Sequence, residues 1–427
     1  MSFRERLNMK RLPFFLLILS SSLSVYSAEN STAESNSNAF SKDGLERLTN
    51  HFQSYVDDGK LAGLTTLIAH KGKLVHFKTY GQQDKAAGIP TAKDTIYRIY
   101  SMTKPITSVA MMMLWEDGKY KLDEPISKYL PSFKNQQVYS SLDDTGNIQT
   151  KPLKREATIR DLMRHTAGLT YGTFGNTPVD KLYRSSGLFN PKHDLKSFVE
   201  ILGKHPLLYQ PGEAWVYSFS TDVQGRLIEV LSGMTLDIFF NKRIFKPLEM
   251  IDTGFQLTSE QITQLSDIYT QDKEIGLTTY RRGFNRDFTK PPPSLSGGGG
   301  LVSSTTDFWR FAQMLANGGV LDDVRLLKEE TVAMMSRNQL PDSLQAQSGD
   351  KTGFGFGFGF AVVKDAQKNG SFGRVGEYFW NGLANTSFWI DPKEQLVAIL
   401  MTNIFPSRIY PLRAEIREYV YAALEEQ

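Results

Sequence analysis

The chain contains no cysteine in its 427 residues. Without a thiol it can have no disulfide framework, no thiolate nucleophile, no zinc–thiolate site and no iron–sulfur cluster. Histidine is scarce as well, with six residues in the whole sequence. Together with Asp and Glu, these histidines do not form the spacing of a metal-binding motif, so we expect neither a metal nor a cofactor.

An excess of charge of one sign is also nearly absent. The formal net charge is +3, and residues 1–27 account for all of it, because they carry four basic residues against Glu5. The rest of the chain is formally neutral. Electrostatics therefore gives no reason to expect nucleic acid or an anionic membrane surface as a partner.

No apolar run reaches the roughly 20 residues that a membrane-spanning helix needs. The nearest candidate, residues 12–19, follows a basic start and precedes small residues that end at Ser27. This order is typical of a secretory signal peptide over residues 1–27, with a short uncleaved membrane anchor as the alternative. We expect a flexible tail over residues 28–40 and a periplasmic or secreted bacterial protein, with no stable membrane insertion after cleavage.

Hydrophobic spacing predicts the elements at the two ends of the remaining chain. Residues 41–58 have the period of an amphipathic helix, and the next two runs, Leu64–Ala69 and Leu74–Tyr80, are spaced like a β-hairpin. Strands are predicted again over residues 386–402, and a helix over residues 410–424. The chain therefore begins and ends with the same kinds of element.

This order of elements predicts an α+β fold. Residues 41–95 and 300–427 would share one antiparallel sheet, flanked by N- and C-terminal helices. Residues 96–299 would form an inserted, mainly helical lobe, with a ligand site between the two lobes. Within the last part, Phe alternates with Gly over Phe354–Phe360, which predicts one core strand with all four rings on one face.

A candidate nucleophile lies near the start of the inserted part. Ser101 and Lys104 form a Ser-x-x-Lys motif ahead of an apolar helix predicted over Ile106–Glu116. Residues three apart on a helix share one side, about 5–6 Å apart at Cβ, so a neutral lysine there can accept the serine proton. Helix capping is the competing role for Ser101. A second copy of the motif, Ser348–Lys351, lies in a Gly/Asp-rich loop and opens no helix.

Segments spread over roughly residues 45–425 carry a family resemblance. Tyr97–Pro105 resembles the nucleophile segment of the serine β-lactamase and penicillin-binding-protein superfamily. Thr158–Leu169 resembles its T-I-x-D-L-L-x-H-T-S-G-L stretch, and Pro211–Ser218 its P-G-x-x-x-x-Y-S stretch. Ser296–Val302 resembles its Gly-rich loop. The chain is most similar to class C β-lactamases and family VIII carboxylesterases, which implies a β-lactamase/transpeptidase-like fold.

The resemblance assigns catalytic roles to three residues. Ser101 would be the nucleophile and Lys104 its proton acceptor. Tyr217 would relay protons to the leaving group and activate the water that removes the acyl group. From the residues alone, Tyr217 could equally be a half-buried aromatic side chain with a bonded hydroxyl.

The sequence departs from the family pattern two places after this tyrosine. The family has an asparagine there, which helps to hold the amide of a β-lactam, whereas this chain has Phe219. Ser218 or Ser220 would have to supply the missing polar contact to the substrate. The departure weakens the case for a true β-lactamase.

The family's third motif, Lys-Thr-Gly on an inner strand, has two candidates. Lys351–Gly353 matches it by letters but precedes the Phe/Gly segment, one hairpin too early. Counting back from the final hairpin places Trp380–Gly382 on the motif strand instead, similar to the W-G-G of family VIII esterases. We therefore expect this strand to bind substrate through Trp380, Asn381 and Gly382.

The same alignment implies an oxyanion hole. It would be formed by the backbone N–H groups of Ser101 and Leu383, for which the side chain of Leu383 is irrelevant. Trp380 replaces a lysine that would pair with a carboxylate. An indole offers an apolar wall and one N–H donor, which favours a neutral acyl group or alcohol.

These residues imply a serine hydrolase that cleaves small esters through an acyl-enzyme on Ser101. The alternatives are a β-lactamase or D,D-peptidase of the same fold, an acyltransferase, and a catalytically inactive ligand-binding or sensor protein. A Ser-His-Asp enzyme is disfavoured because no Gly-x-Ser-x-Gly motif occurs and His165 is interpreted as structural. The expected partner is a small-molecule ester or amide.

Overall fold

The computed structural model of the chain describes residues 39–281, 286–348, 351–369 and 373–425. These residues belong to one compact unit that spans Ala39–Gln427. The predicted signal peptide and nearly all of the predicted tail lie outside the described residues. In the part of the chain that is described, no helix combines the length and apolarity needed to cross a bilayer.

Helices and strands follow one another along the whole described chain. The helices are α1 Lys42–Asp57, α2 Thr103–Glu116, α3 Ile159–Met163, α4 Pro178–Ser185, α5 Leu195–Gly203, α6 Ser220–Ser232, α7 Leu236–Phe240, α8 Thr305–Ala316, α9 Glu329–Ser336, α10 Ala366–Asn369 and α11 Leu412–Glu425. The strands are β1 Gly63–His70, β2 Lys73–Asp84, β3 Ile89–Pro90, β4 Ile96–Arg98, β5 Gln137–Leu142, β6 Ile148–Pro152, β7 Tyr269–Asp272, β8 Gly276–Thr279, β9 Val302–Ser304, β10 Val320–Leu321, β11 Val324–Arg325, β12 Ala346–Ser348, β13 Lys351–Phe356, β14 Ala361–Val363, β15 Tyr378–Asn381, β16 Ser387–Asp391 and β17 Leu396–Thr402.

The main sheet joins the two ends of the chain, as the sequence predicted. Its strand order is β12-β13-β14-β15-β16-β17-β1-β2-β3, and every neighbouring pair is antiparallel. Strand β1 pairs with β17 so that Leu67 stands opposite Ile399. The predicted antiparallel sheet is therefore confirmed, and its centre is formed by segments more than 300 residues apart.

Side chains of β1 alternate between two cores, because successive residues of a strand point to opposite faces. Leu64 and Ile68 pack with residues of α1 and α11, which cover one face of the sheet. Leu67 and Ala69 belong to the larger core on the other face, which also contains buried residues of α2 and α8. The predicted flanking by the N- and C-terminal helices is confirmed.

Residues 96–299 hold α2 to α7 together with two hairpins, β5–β6 and β7–β8, that hydropathy did not predict. Within this part, α2 is buried over residues 103–114. A helix that is apolar on all sides is stable only inside a core. It packs chiefly on α6, and its first turn is already buried.

The prediction of one strand through Phe354–Phe360 is wrong in its second half. Strand β13 ends at Phe356, and the N–H of Gly357 donates to the carbonyl of Phe360 across a tight turn. Gly359 has a φ of 91°, a conformation that glycine adopts without strain. The rings consequently divide between two cores, Phe356 near the outer strands and Phe358 in the main core.

Gly357 is the position where this turn tolerates least change. A Cβ there would clash with the carbonyl oxygen of Met335 and lie 3.0 Å from that of Arg337. We expect Gly357→Ala to lower the free energy of unfolding by about 1–3 kcal/mol, as overpacking generally does. Urea unfolding followed by circular dichroism measures the change.

Gly299→Ala is the matched control for this variant. Neither glycine has a left-handed φ, but the nearest heavy atom to a Cβ at Gly299 is 3.7 Å away. Its unfolding free energy should stay within about 1 kcal/mol of the wild type. Equal unfolding midpoints for the two variants would contradict the packing argument.

Candidate active site

Ser101 lies at the point where the chain leaves a strand and enters the buried helix. Strand β4 pairs with β9, and a single 3₁₀ turn, Tyr100–Met102, connects β4 to α2. Tyr100 has a φ of 44°, which a bulky residue rarely adopts outside functional sites. Ser101 belongs to this turn and is half-buried. Because α2 begins at Thr103, Ser101 precedes the helix rather than opening it.

Lys104 points back towards Ser101 from the first turn of α2. Its side chain is 1% exposed, and its Nζ lies 3.4 Å from the Oγ of Ser101. The amine donates to the carbonyl oxygen of Gly298 at 2.6 Å and to the hydroxyl of Tyr171 at 2.9 Å. Oxygen atoms from three segments of the chain therefore fix the amine beside the serine.

Tyr217 completes the group from the opposite side. Its hydroxyl donates to the Oγ of Ser101 at 2.7 Å, and its ring centroid lies 4.6 Å from the Nζ of Lys104. The ring is packed against Trp380, with centroids 5.3 Å apart, and against His165 at 5.1 Å. The structure thus brings together the three residues to which the sequence assigned catalysis, although they lie 116 positions apart at the extremes.

His165 packs against the ring of Tyr217 and is not one of the three residues that meet at Ser101. It is 2% exposed, and its Nδ1 lies 3.2 Å from the Oγ of Ser218. Burial, with a smaller contribution from Lys104, holds the pKa of His165 well below its usual value, so the ring is neutral at physiological pH. This environment agrees with the structural interpretation of His165.

Ser218 and Ser220, the two candidates for the missing polar contact, are both buried. Ser218 is buried, and its hydroxyl bonds with Ser220 at 2.8 Å as well as with His165. Phe219 packs on the ring of Tyr171 at 4.4 Å. Neither Ser218 nor Ser220 lines a cavity that reaches Ser101, and the assignment of Ser218 to substrate binding finds no geometric support.

Strand β15 packs against Tyr217 through the ring of Trp380. Gly382, directly after the strand, approaches the nucleophile segment so closely that a Cβ there would lie 2.6 Å from the carbonyl oxygen of Ile99 and would clash with Thr386. Lys351 begins β13, which is separated from β15 by β14. Strand order therefore favours Trp380 over Lys351 as the motif position.

Two cavities meet at Ser101, and Ser101, Phe174 and Leu383 line both. One, which we call the tryptophan cavity, has a volume of about 580 Å³. It is lined mainly by aromatic and arginine side chains: Trp215, Tyr217, Phe354, Phe379, Trp380, Arg408 and Arg413. The other, the phenylalanine cavity, has a volume of about 510 Å³. It is lined mainly by apolar side chains, among them Tyr171, Leu188, Phe189, Phe198, Phe219 and Phe288.

Sequence reasoning missed two residues that hold the amine. The pKa of Tyr171 is raised well above its usual value, chiefly by burial of its hydroxyl, so this group stays neutral while it accepts from Lys104. Asp222 is 4% exposed and accepts from the Oγ of Ser296 at 2.6 Å and from the N–H of Gly298 at 3.2 Å. Burial also raises its pKa. No local pattern marks either residue, because each reaches the site only through tertiary packing.

The chain belongs to the beta-lactamase family, which residues 48–421 match. Protein Rv1367c of Mycobacterium tuberculosis is 32% identical over 359 residues, covering 82% of this chain and 88% of that protein. Esterase EstB of Burkholderia gladioli is 29% identical over 407 residues, covering 90% and 97%. The structure of EstCE1, described as a hydrolase with promiscuous acyltransferase activity, superposes with a TM-score of 0.74 at 26% identity, covering 89% of this chain and 99% of EstCE1.

These comparisons confirm the resemblance and the β-lactamase/transpeptidase-like fold. They place the chain in a serine hydrolase superfamily whose members include proteins named as esterases, acyltransferases and putative peptidases. The members share a scaffold but not one reaction. The reaction of this chain must therefore be argued from its own site.

The Lys104–Tyr171 hydrogen bond can be tested through the reactivity of Ser101. In Tyr171→Phe the amine loses one oxygen acceptor. We therefore expect labelling of Ser101 by a fluorophosphonate to slow by about tenfold, because that factor corresponds to the net free energy of roughly one hydrogen bond. Labelling rates are measured by mass spectrometry at several probe concentrations.

Tyr120→Phe is the control, since it also removes a buried phenol hydrogen bond, from Tyr120 to the carbonyl of Met111. Tyr120 does not line either cavity. Its variant should lose stability but label at the wild-type rate. Equal labelling rates for the two variants would show that Tyr171 does not assist the amine.

Proposed function

We propose that the protein is a serine hydrolase that cleaves small carboxylic esters through an acyl-enzyme on Ser101. One observation carries the proposal: the Oγ of Ser101 is within 2.7 Å of the Tyr217 hydroxyl and 3.4 Å of the buried Lys104 amine. A serine becomes a nucleophile when a neighbouring base can take its proton. Helix capping does not explain two such partners on one hydroxyl.

In the proposed acylation, Lys104 and Tyr217 hold the proton of Ser101 until the alcohol leaves. As Oγ attacks the ester carbonyl carbon, the serine proton passes to the pair of Lys104 and Tyr217. Negative charge develops on the carbonyl oxygen, and the N–H groups of Ser101 and Leu383 would stabilise it. When the carbon–oxygen bond of the ester breaks, the pair returns the proton to the departing alcohol.

Deacylation repeats these steps with water. The pair accepts one proton of a water molecule whose oxygen attacks the acyl carbonyl carbon. Collapse of the tetrahedral intermediate releases the carboxylic acid, and Ser101 regains its proton from the pair. Tyr217 is suited to both halves of the cycle because its hydroxyl already contacts Oγ.

Two substitutions favour esters over β-lactams and peptides. Trp380 stands where the family has a cationic lysine, and Phe219 stands where the family has an amide-binding asparagine. The similarity to a protein named as an esterase points the same way. A β-lactamase or D,D-peptidase is accordingly the weaker alternative, and an inactive binding protein would not need the contacts around Ser101.

Acyl transfer is a second candidate, and the two cavities favour it. Each has a volume of more than 500 Å³ and both reach Ser101. An acyl group could occupy one while an alcohol enters the other in place of water. Export to the periplasm or the medium also remains part of the proposal, on the pattern of residues 1–27.

Ser101→Ala removes the proposed nucleophile. We expect kcat/KM for p-nitrophenyl butyrate to fall by roughly 10³-fold or more, as loss of a covalent nucleophile generally does. Lys351→Ala, at the start of β13, which β14 separates from the motif strand β15, should stay within a few-fold of the wild type. Near-normal turnover by Ser101→Ala, or collapse of Lys351→Ala, would refute the corresponding assignment.

Ester specificity is tested by comparing two chromogenic substrates in one enzyme preparation. We expect a higher kcat/KM for p-nitrophenyl butyrate than for a chromogenic cephalosporin, because the amide-binding asparagine is missing. Both rates are followed by absorbance, with the Ser101→Ala protein as the background. Faster turnover of the cephalosporin would overturn the preference for esters.

A further inference from the structure

The tryptophan cavity contains a cation that the ester proposal leaves unused. Arg413 is the second residue of α11 and lines the cavity together with Arg408 and Leu383. Its guanidinium donates to the carbonyl oxygen of Gly382. Gly382 directly follows β15, so this cation is attached to the same wall that faces Ser101.

Arg413 has no acidic partner among the described residues. No carboxylate there lies within ion-pair distance of it, and its buried Nε has no hydrogen-bond acceptor. The neighbouring Arg417, in contrast, contacts Glu377 at 3.4 Å. Of the described residues that line the tryptophan cavity, two are arginines and none is Asp or Glu.

Several positive charges converge on this position. Burial, Arg417 and Arg408 together lower the pKa of Arg413 to about 9, which still leaves the guanidinium charged at physiological pH. The N-terminus of α11 adds the positive end of a helix dipole. Arg413 is half-buried and its Nε is buried, so a cation without a counter-charge is unfavourable there, and an anion in the cavity would relieve that cost.

We infer that the tryptophan cavity binds a carboxylate of the substrate on Arg413, so that the preferred substrates are esters that carry a free carboxylate. This inference rests on the proposed ester hydrolysis. The sequence predicted a neutral substrate because the motif strand has lost its lysine, and Arg413 changes that prediction. The cation has not disappeared from the site: it is supplied by α11 instead.

The walls of the cavity suggest the shape of such a substrate. Trp215, Phe354, Phe379 and Trp380 offer apolar surface between Ser101 and the arginines. A hydrocarbon spacer would pack there, with the ester at one end and the carboxylate at the other. A guanidinium can bind that carboxylate through two parallel hydrogen bonds.

Two matched pairs of substrates test which half of the ester carries the anion. In the first pair, 4-nitrophenyl hemiadipate is compared with 4-nitrophenyl hexanoate, so the charge is on the acyl half. In the second, the butyrate ester of 4-hydroxybenzoate is compared with that of 4-hydroxybenzamide, so the charge is on the alcohol half. We expect a kcat/KM at least tenfold higher for the charged member of one pair.

Variants of Arg413 link this preference to the guanidinium. Arg413→Met should reduce the charged-to-neutral ratio of kcat/KM at least tenfold, and Arg413→Lys should retain part of it. Arg337→Met, an exposed arginine that lines neither cavity, is the control and should keep the wild-type ratio. If Arg413→Met does not fold, as judged by circular dichroism, Arg413→Lys and inhibition of the wild type by adipate test the carboxylate site instead.

The outcomes separate this inference from the proposed function. Ratios near one in the wild type, an unchanged ratio in the folded Arg413→Met protein, or no competitive inhibition by adipate would overturn the carboxylate site alone. Ester hydrolysis that depends on Ser101 would still stand in each of those cases. Failure to hydrolyse any of the four esters, or hydrolysis that persists in Ser101→Ala, would overturn the proposed function itself.

Discussion

The side chain of Lys104 is 1% exposed, and its amine therefore needs oxygen atoms as partners, because a buried amine without partners is strongly destabilising. The carbonyl of Gly298 and the hydroxyl of Tyr171 meet this requirement. Asp222 fixes the first of them by accepting from the N–H of Gly298. Three separate segments must pack together before the nitrogen can stand beside Ser101.

The sheet imposes the second constraint on the site. Strand β15 can approach the nucleophile turn only because Gly382 carries no side chain where the two backbones pass. That approach brings the backbone of Leu383 and the indole of Trp380 to the same cavity as Ser101. The aromatic contacts among Tyr217, His165 and Trp380 then leave the phenol little freedom to turn away from the serine.

The cation of the tryptophan cavity does not come from the strand on which the family resemblance places a lysine. The motif strand carries an indole, whereas the cation comes from the C-terminal helix α11. Membership of the beta-lactamase family defines the scaffold but leaves the reaction open, since relatives are named as esterases, acyltransferases and putative peptidases. The side chains around Ser101 decide which bond is cleaved and what receives the acyl group.

Features that depend on near neighbours in the chain could be predicted from the sequence. Periodicity predicted the helix over residues 41–58 that forms α1, the Ser-x-x-Lys spacing put Ser101 and Lys104 on one side of a turn, and strand order preferred Trp380. The contacts of Tyr171, Asp222 and Arg413, and the turn that divides the Phe/Gly segment, became visible only in the folded protein. Hydropathy indicates whether a side chain is buried, but its partners come from segments that meet only after the sheet has formed and the helices have packed on it.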